Sequence, residues 1–124
     1  MMQTLAIAGG GAVGALLRFW MSNGVYSVFG RAFPYGTLAV NVLGSLVMGI
    51  LYVLLIDKLP LGPAWRAALL VGLLGAFTTF STFSLETLNL IEEGELVKAI
   101  LNVALSVVLC LFAAWIGVLT GRTV

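Results

Sequence analysis

Long apolar runs separated by short polar breaks dominate this chain. Four such runs, Leu5 to Val28, Thr37 to Ile56, Ala64 to Ile91 and Val97 to Thr120, each come near or exceed the roughly 20 residues with which a helix crosses ~30 Å of hydrocarbon. The pattern predicts four transmembrane helices that take up nearly the whole sequence. Between them lie a loop with Arg31 and Pro34, a loop from Asp57 to Pro63 and an acidic turn from Glu92 to Glu95. No stretch is left to build a soluble active site, so function is expected inside the membrane.

Composition agrees. Of 124 residues, 61% are hydrophobic and 9% charged, and a mean hydropathy of +1.16 leaves too little polar surface for a soluble monomer. The expected fold class is an all-α integral membrane protein, one four-helix transmembrane domain over residues 1–124. The first run is expected to be retained rather than cleaved as a signal peptide, since no basic residue precedes it and Arg18 falls well inside it. The single cysteine, Cys110, cannot form an intrachain disulfide, and the absence of histidine counts against zinc chemistry and histidine-based catalysis.

Charge says little about orientation. Cytoplasmic loops normally carry the excess of lysine and arginine, but here Lys58, Arg66 and Arg122 fall on one side and Arg31, Lys98 and the end of the helix holding Arg18 on the other. The tie has two readings: dual topology, with copies inserted both ways, or one orientation set by local context.

The third run departs most from its surroundings. Gly72 to Ser84 reads GLLGAFTTFSTFS, with phenylalanines at three-residue spacing and five hydroxyls in an apolar region. The run is too long for one perpendicular span, and a break is expected around Ala76 to Thr79, with Phe77 inside it. Irregular backbone at membrane depth is tolerated where it is buried in protein or lines a cavity, and its freed carbonyls can hold a small cation. Beyond the break, Phe80 and Phe83 share a face while Ser81, Thr82 and Ser84 spread hydroxyls around the helix. Aromatic ring edges are positive and suit an anion; packing against lipid or core is the ordinary alternative.

Other polar residues inside the spans are costly and therefore candidates. Arg18 either snorkels to an interface or draws an anion into a vestibule. Asn41 offers two uncharged N–H donors, for an anion or for an interhelical hydrogen bond. Glu86, the one acid within a span, has three readings: a proton or cationic-drug site, a residue of a water-filled entrance, or the partner of a neighbouring basic side chain. Gly9, Gly10, Gly11 and Gly14 in the first run and Gly36, Gly44 and Gly49 around the second allow close helix packing. Four short helices enclose a polar pathway poorly alone, so small size and polar content together suggest a homodimer.

Three segments, GGGAVGALLRF at Gly9 to Phe19, GTLAVNVLGSLVMG at Gly36 to Gly49 and GLLGAFTTFSTFSLE at Gly72 to Glu86, resemble in order and spacing the small bacterial fluoride channels of the Fluc or CrcB family. The resemblance implies an antiparallel, dual-topology homodimer in the bacterial inner membrane, with two pores that pass fluoride and relieve the cell of it. By resemblance Asn41 is the pore asparagine, Phe80 and Phe83 are the pore-lining phenylalanines, and Ser81 and Thr82 belong to a polar track. Arg18 and Glu86 stand near the vestibules. A structural sodium ion at the dimer axis is implied on the backbone carbonyls of Gly75 and Thr78. The fourth run carries no comparable motif, and among Asn102, Ser106 and Cys110, which could face the pore, Ser106 is the best candidate.

The mechanism expected is passive. Fluoride exchanges water for the Asn41 amide, the hydroxyls of Ser81, Thr82 and Ser106, and the ring edges of Phe80 and Phe83, bound well enough to dehydrate but not to be trapped. No covalent step is needed, and the chain is not read as an enzyme. The rival functions are a small multidrug-type or proton-coupled transporter that depends on Glu86, and a non-transporting assembly or interaction protein whose polar residues only hold helices together.

Overall fold

A computed structural model describes all 124 residues, Met1 to Val124. α1 covers Met2–Phe29. α2 covers Tyr35–Val53 and runs on through one wider π turn, Leu54–Lys58. α3 takes residues 63–77: it opens with proline in its first turn at Pro63–Arg66, widens to π geometry over Ala67–Leu73 and closes with Leu74–Phe77. α4 is Phe80–Glu92 and α5 is Leu96–Thr123. With α3 and α4 taken together, four segments are long and apolar enough to cross a membrane: Met2–Phe29, Tyr35–Lys58, Pro63–Glu92 and Leu96–Thr123. The chain is thus an all-helical, multi-pass membrane protein.

The helices overrun the apolar runs at most ends, because helical hydrogen bonding continues until a residue stops it. α1 stops at Gly30, whose φ of 83° is open to glycine, with its N–H on the Tyr26 carbonyl. Proline at the start of α3 occupies a position whose N–H has no helical partner anyway.

Packing relies on small residues, as expected where lipid supplies no hydrophobic drive between helices. α2 lies most extensively on α5, and a side chain at Gly117 would run into the Leu46 carbonyl of α2. α1 packs on α3, where a Cβ at Gly72 would stand 2.7 Å from the Ile7 carbonyl. Only 22 of 124 residues are buried, so most of the apolar surface faces lipid or another chain.

Candidate functional site

At the middle of the third span the helix stops at Phe77 and restarts at Phe80. Thr78 (φ −87°, ψ 159°) and Thr79 (φ −151°, ψ 119°) are extended. The non-helical residues are therefore narrower than Ala76 to Thr79, and Phe77 is not among them. Helical bonding persists to the Thr78 N–H, which reaches the Leu74 carbonyl at 3.1 Å. Phe77 is buried at the end of α3, against Gly44 of α2.

The next N–H is captured from outside the helix. Thr79 donates to Oδ1 of Asn41 at 2.8 Å, and Nδ2 of Asn41 donates to the Thr79 carbonyl at 3.0 Å. One amide on α2 thereby satisfies both backbone groups of a buried extended residue. In a continuous helix the Thr79 N–H would serve the Gly75 carbonyl, and the Thr82 N–H that of Thr78. The Thr82 N–H instead goes to Thr79 Oγ1 at 3.2 Å, an N-cap on α4. The carbonyls of Gly75 and Thr78 thus lose their helical donors to two side chains.

Beside this interruption lies an open cavity of about 470 Å³. Its walls include Asn41, Phe80, Phe83 and Ser106, and also Thr79 and Cys110. The rings of Phe80 and Phe83 sit 5.4 Å apart, tilted by 43°. No lysine or arginine reaches it. Phe80 is 78% exposed, so the cavity has phenylalanine on an uncovered side. Ser81 and Thr82 stand outside the lining, on exposed positions of α4. The Thr82 hydroxyl accepts from Thr79 Oγ1 at 3.0 Å. Asn102 does not face the cavity: it is 2% exposed and donates to Thr87 Oγ1 at 2.8 Å.

A second, more polar cavity of about 310 Å³ opens where α1, α4 and the α4–α5 turn meet, lined by Tyr26, Arg31, Glu86, Asn89, Glu93 and Lys98 among others. Glu86 belongs to this entrance, but its partner is a phenol and not a base: Tyr26 donates to Oε2 at 2.9 Å. The other oxygen, Oε1, is buried without a protein partner. Arg31 lies over the Tyr26 ring, 4.4 Å from its centroid. Arg18 is absent from the lining, so the two residues expected near the vestibules do not share this one.

Sequence reasoning passed over Tyr26 and Thr79. A tyrosine near the end of an apolar run needs a partner for its hydroxyl when buried, which was a usable signal for Tyr26. Thr79 carried none beyond its place in the hydroxyl-rich run, since capping by its side chain depends on where the helix restarts.

Fold and site together define a small multi-pass membrane protein whose uncharged polar groups gather in an intramembrane cleft. Residues 5–118 match the family model described as CrcB-like protein, Camphor Resistance (CrcB), and the chain belongs to that family. A protein of Methylococcus capsulatus named fluoride-specific ion channel FluC is 61% identical over 98% of this chain, which spans about half (53%) of that relative's length. Relatives with the same name from Magnetococcus marinus, 53% identical over 99% of this chain and 100% of their own, and from Hydrogenovibrio crunogenus, 50% identical over 98% and 92%, match nearly end to end.

Proposed function

We propose that this chain is a fluoride-selective passive channel that exports fluoride and protects the cell from its toxicity. The observation that carries the reading is the cavity in which Asn41, Phe80, Phe83 and Ser106 converge with no fixed positive charge. An anion there meets donors that replace water without trapping it. Asn41 spends one N–H of its amide on the Thr79 carbonyl and keeps the second for the ion. The tilted rings of Phe80 and Phe83 supply positive edges, and Ser106 supplies a hydroxyl.

The same reading extends to assembly. Ser81, Thr82, Ser84 and Gly75 are exposed beside an extended backbone, and irregular backbone does not face lipid. A second copy, antiparallel in keeping with the tied loop charges, covers this face and turns the open cavity into a pore. Ser81 and Thr82 then complete the polar track from outside the single-chain lining. The carbonyls of Gly75 and Thr78, relieved of their helical donors, fit a structural sodium ion at the dimer axis; the ion supplies positive charge that ties two interrupted helices together. Arg18 and Glu86 serve the entrances, and the bacterial inner membrane is the compartment.

Efflux from liposomes, followed with a fluoride electrode, tests the proposal. Fluoride leaves vesicles holding the purified protein when valinomycin balances charge with potassium, and chloride does not. Vesicles that retain their fluoride overturn it. The buried, unpartnered Oε1 of Glu86 is the one observation that favours the proton-coupled alternative.

A further inference from the structure

Behind the cavity wall a chain of hydrogen bonds joins α4 to α5 with a fixed direction. The Phe83 carbonyl can only accept, so the Thr87 hydroxyl, 2.8 Å away, must donate to it. Thr87 Oγ1 is then left to accept, and Asn102 fills that place with Nδ2 at 2.8 Å. This fixes the flip of the Asn102 amide and turns Oδ1 towards Ser106, whose hydroxyl donates across a long 3.5 Å. Asn102 and Thr87 lie outside the cavity lining, whereas Phe83 and Ser106, the two ends of the chain, belong to it.

We propose that Asn102 is a positioning residue for permeation, acting with Thr87 to set the register of Phe83 against Ser106 and to hold the Ser106 proton in a long, weak hydrogen bond. The inference rests on the fluoride-channel reading. Without an ion the Ser106 proton points to Asn102 Oδ1 and away from the cavity. An arriving anion draws it round by rotation about one bond, at the expense of a long hydrogen bond only. A short hydrogen bond there would hold the proton back. An apolar neighbour would leave the hydroxyl free to turn to any backbone carbonyl.

The test is fluoride efflux, and fluoride-over-chloride selectivity, in liposomes holding Asn102→Ala, Thr87→Val, Thr87→Ser, Ser106→Ala and the Asn102→Ala/Ser106→Ala double variant. Asn102→Ala and Thr87→Val are each expected to slow fluoride about tenfold and to narrow the selectivity, as loss of one hydrogen bond at the ion's path allows. Thr87→Ser, which keeps the hydroxyl, stays within about threefold of the parent, and the double variant is no slower than the worse single one, because both changes strike one chain. Effects of Asn102 and Ser106 that multiply, unchanged selectivity in Asn102→Ala, or a Thr87→Ser as slow as Thr87→Val each overturn the proposal. Thr87→Val is nearly isosteric and carries the test where Asn102→Ala does not fold. Parent protein that passes no fluoride refutes the channel reading itself, a result distinct from all of these.

Discussion

Replacing Asn41 with alanine tests whether one side chain holds the interruption of the third span open. The change deletes two hydrogen bonds, of 2.8 and 3.0 Å, that serve both backbone groups of Thr79, a residue only 8% exposed. A buried group left unpaired costs about 1–3 kcal/mol, so two set an upper bound of roughly 6 kcal/mol. Two effects lower the figure. Interhelical hydrogen bonds in membranes average only about 0.6 kcal/mol, since the unfolded chain also finds partners there. The released Thr79 N–H can also return to the Gly75 carbonyl if the helix closes. The expected loss is about 1–3 kcal/mol. Asn41→Leu, with the same branching and a bulkier side chain, separates the hydrogen bonds from the space Asn41 fills, and both variants should lose stability. Reversible unfolding in mixed detergent, read from the fluorescence of Trp20, Trp65 and Trp115, measures the loss, and amide exchange at Thr79 locates it. Variants as stable as the parent, with the Thr79 amide equally protected, would refute the reasoning and return Asn41 to a purely ion-facing role.

Three further outcomes follow from other contacts. Glu86→Gln keeps an oxygen for the Tyr26 hydroxyl, so fluoride efflux should persist within about threefold, a change smaller than one hydrogen bond to a charged group is worth; abolished transport would favour the proton-coupled exporter. Phe80→Ile should leave the stability of the single chain unchanged, as the ring is 78% exposed, yet cut fluoride efflux by about tenfold or more, the equivalent of ~1.4 kcal/mol of lost ion contact. Gly117→Ala should cost about 1–3 kcal/mol by forcing α5 off α2, whereas Gly9→Ala, with nothing near its added carbon, should leave the monodisperse yield in detergent unchanged.

How much was legible depended on the range of the interaction concerned. The four spans were, because each run decides its own solvent: a stretch such as Val97 to Thr120 has no other place to go. The grouping of Asn41, Phe80 and Phe83 came from the motifs and their resemblance, since no periodicity says which helices are neighbours, and Ser106 was picked from a fourth run that has no motif. What Asn41 does with its amide was not legible. A donor-rich side chain one turn inside a helix is equally suited to an ion or to a backbone, and the choice turned on Thr79 lying within 3 Å. Asn102 went the other way for the same reason. Its spacing from Ser106 allowed a common face, but Thr87 on α4 offered a partner that drew it off the cavity.

Asn41 also links the two ion sites proposed for this chain. By taking the Thr79 N–H it strips the Gly75 carbonyl of its helical donor, and by leaving one amide proton unspent it keeps a donor for an anion. Carbonyl oxygens freed in this way repel fluoride and attract a cation, so a fluoride path and a sodium site can share the interruption only if the carbonyls turn away from the cavity. The N-cap on Thr79 leaves the Thr78 carbonyl without a helical donor in the same way, since it occupies the Thr82 N–H within α4. On the proposed reading, the helix interruption, the sodium site and the fluoride wall all draw on the hydrogen bonds that Asn41 and Thr79 make there. It follows that Asn41→Ala should loosen the proposed homodimer in detergent as well as slow fluoride, whereas Phe80→Ile should chiefly slow fluoride. Equal loosening by both would mean that the junction between copies draws its strength from the phenylalanines and not from the interruption.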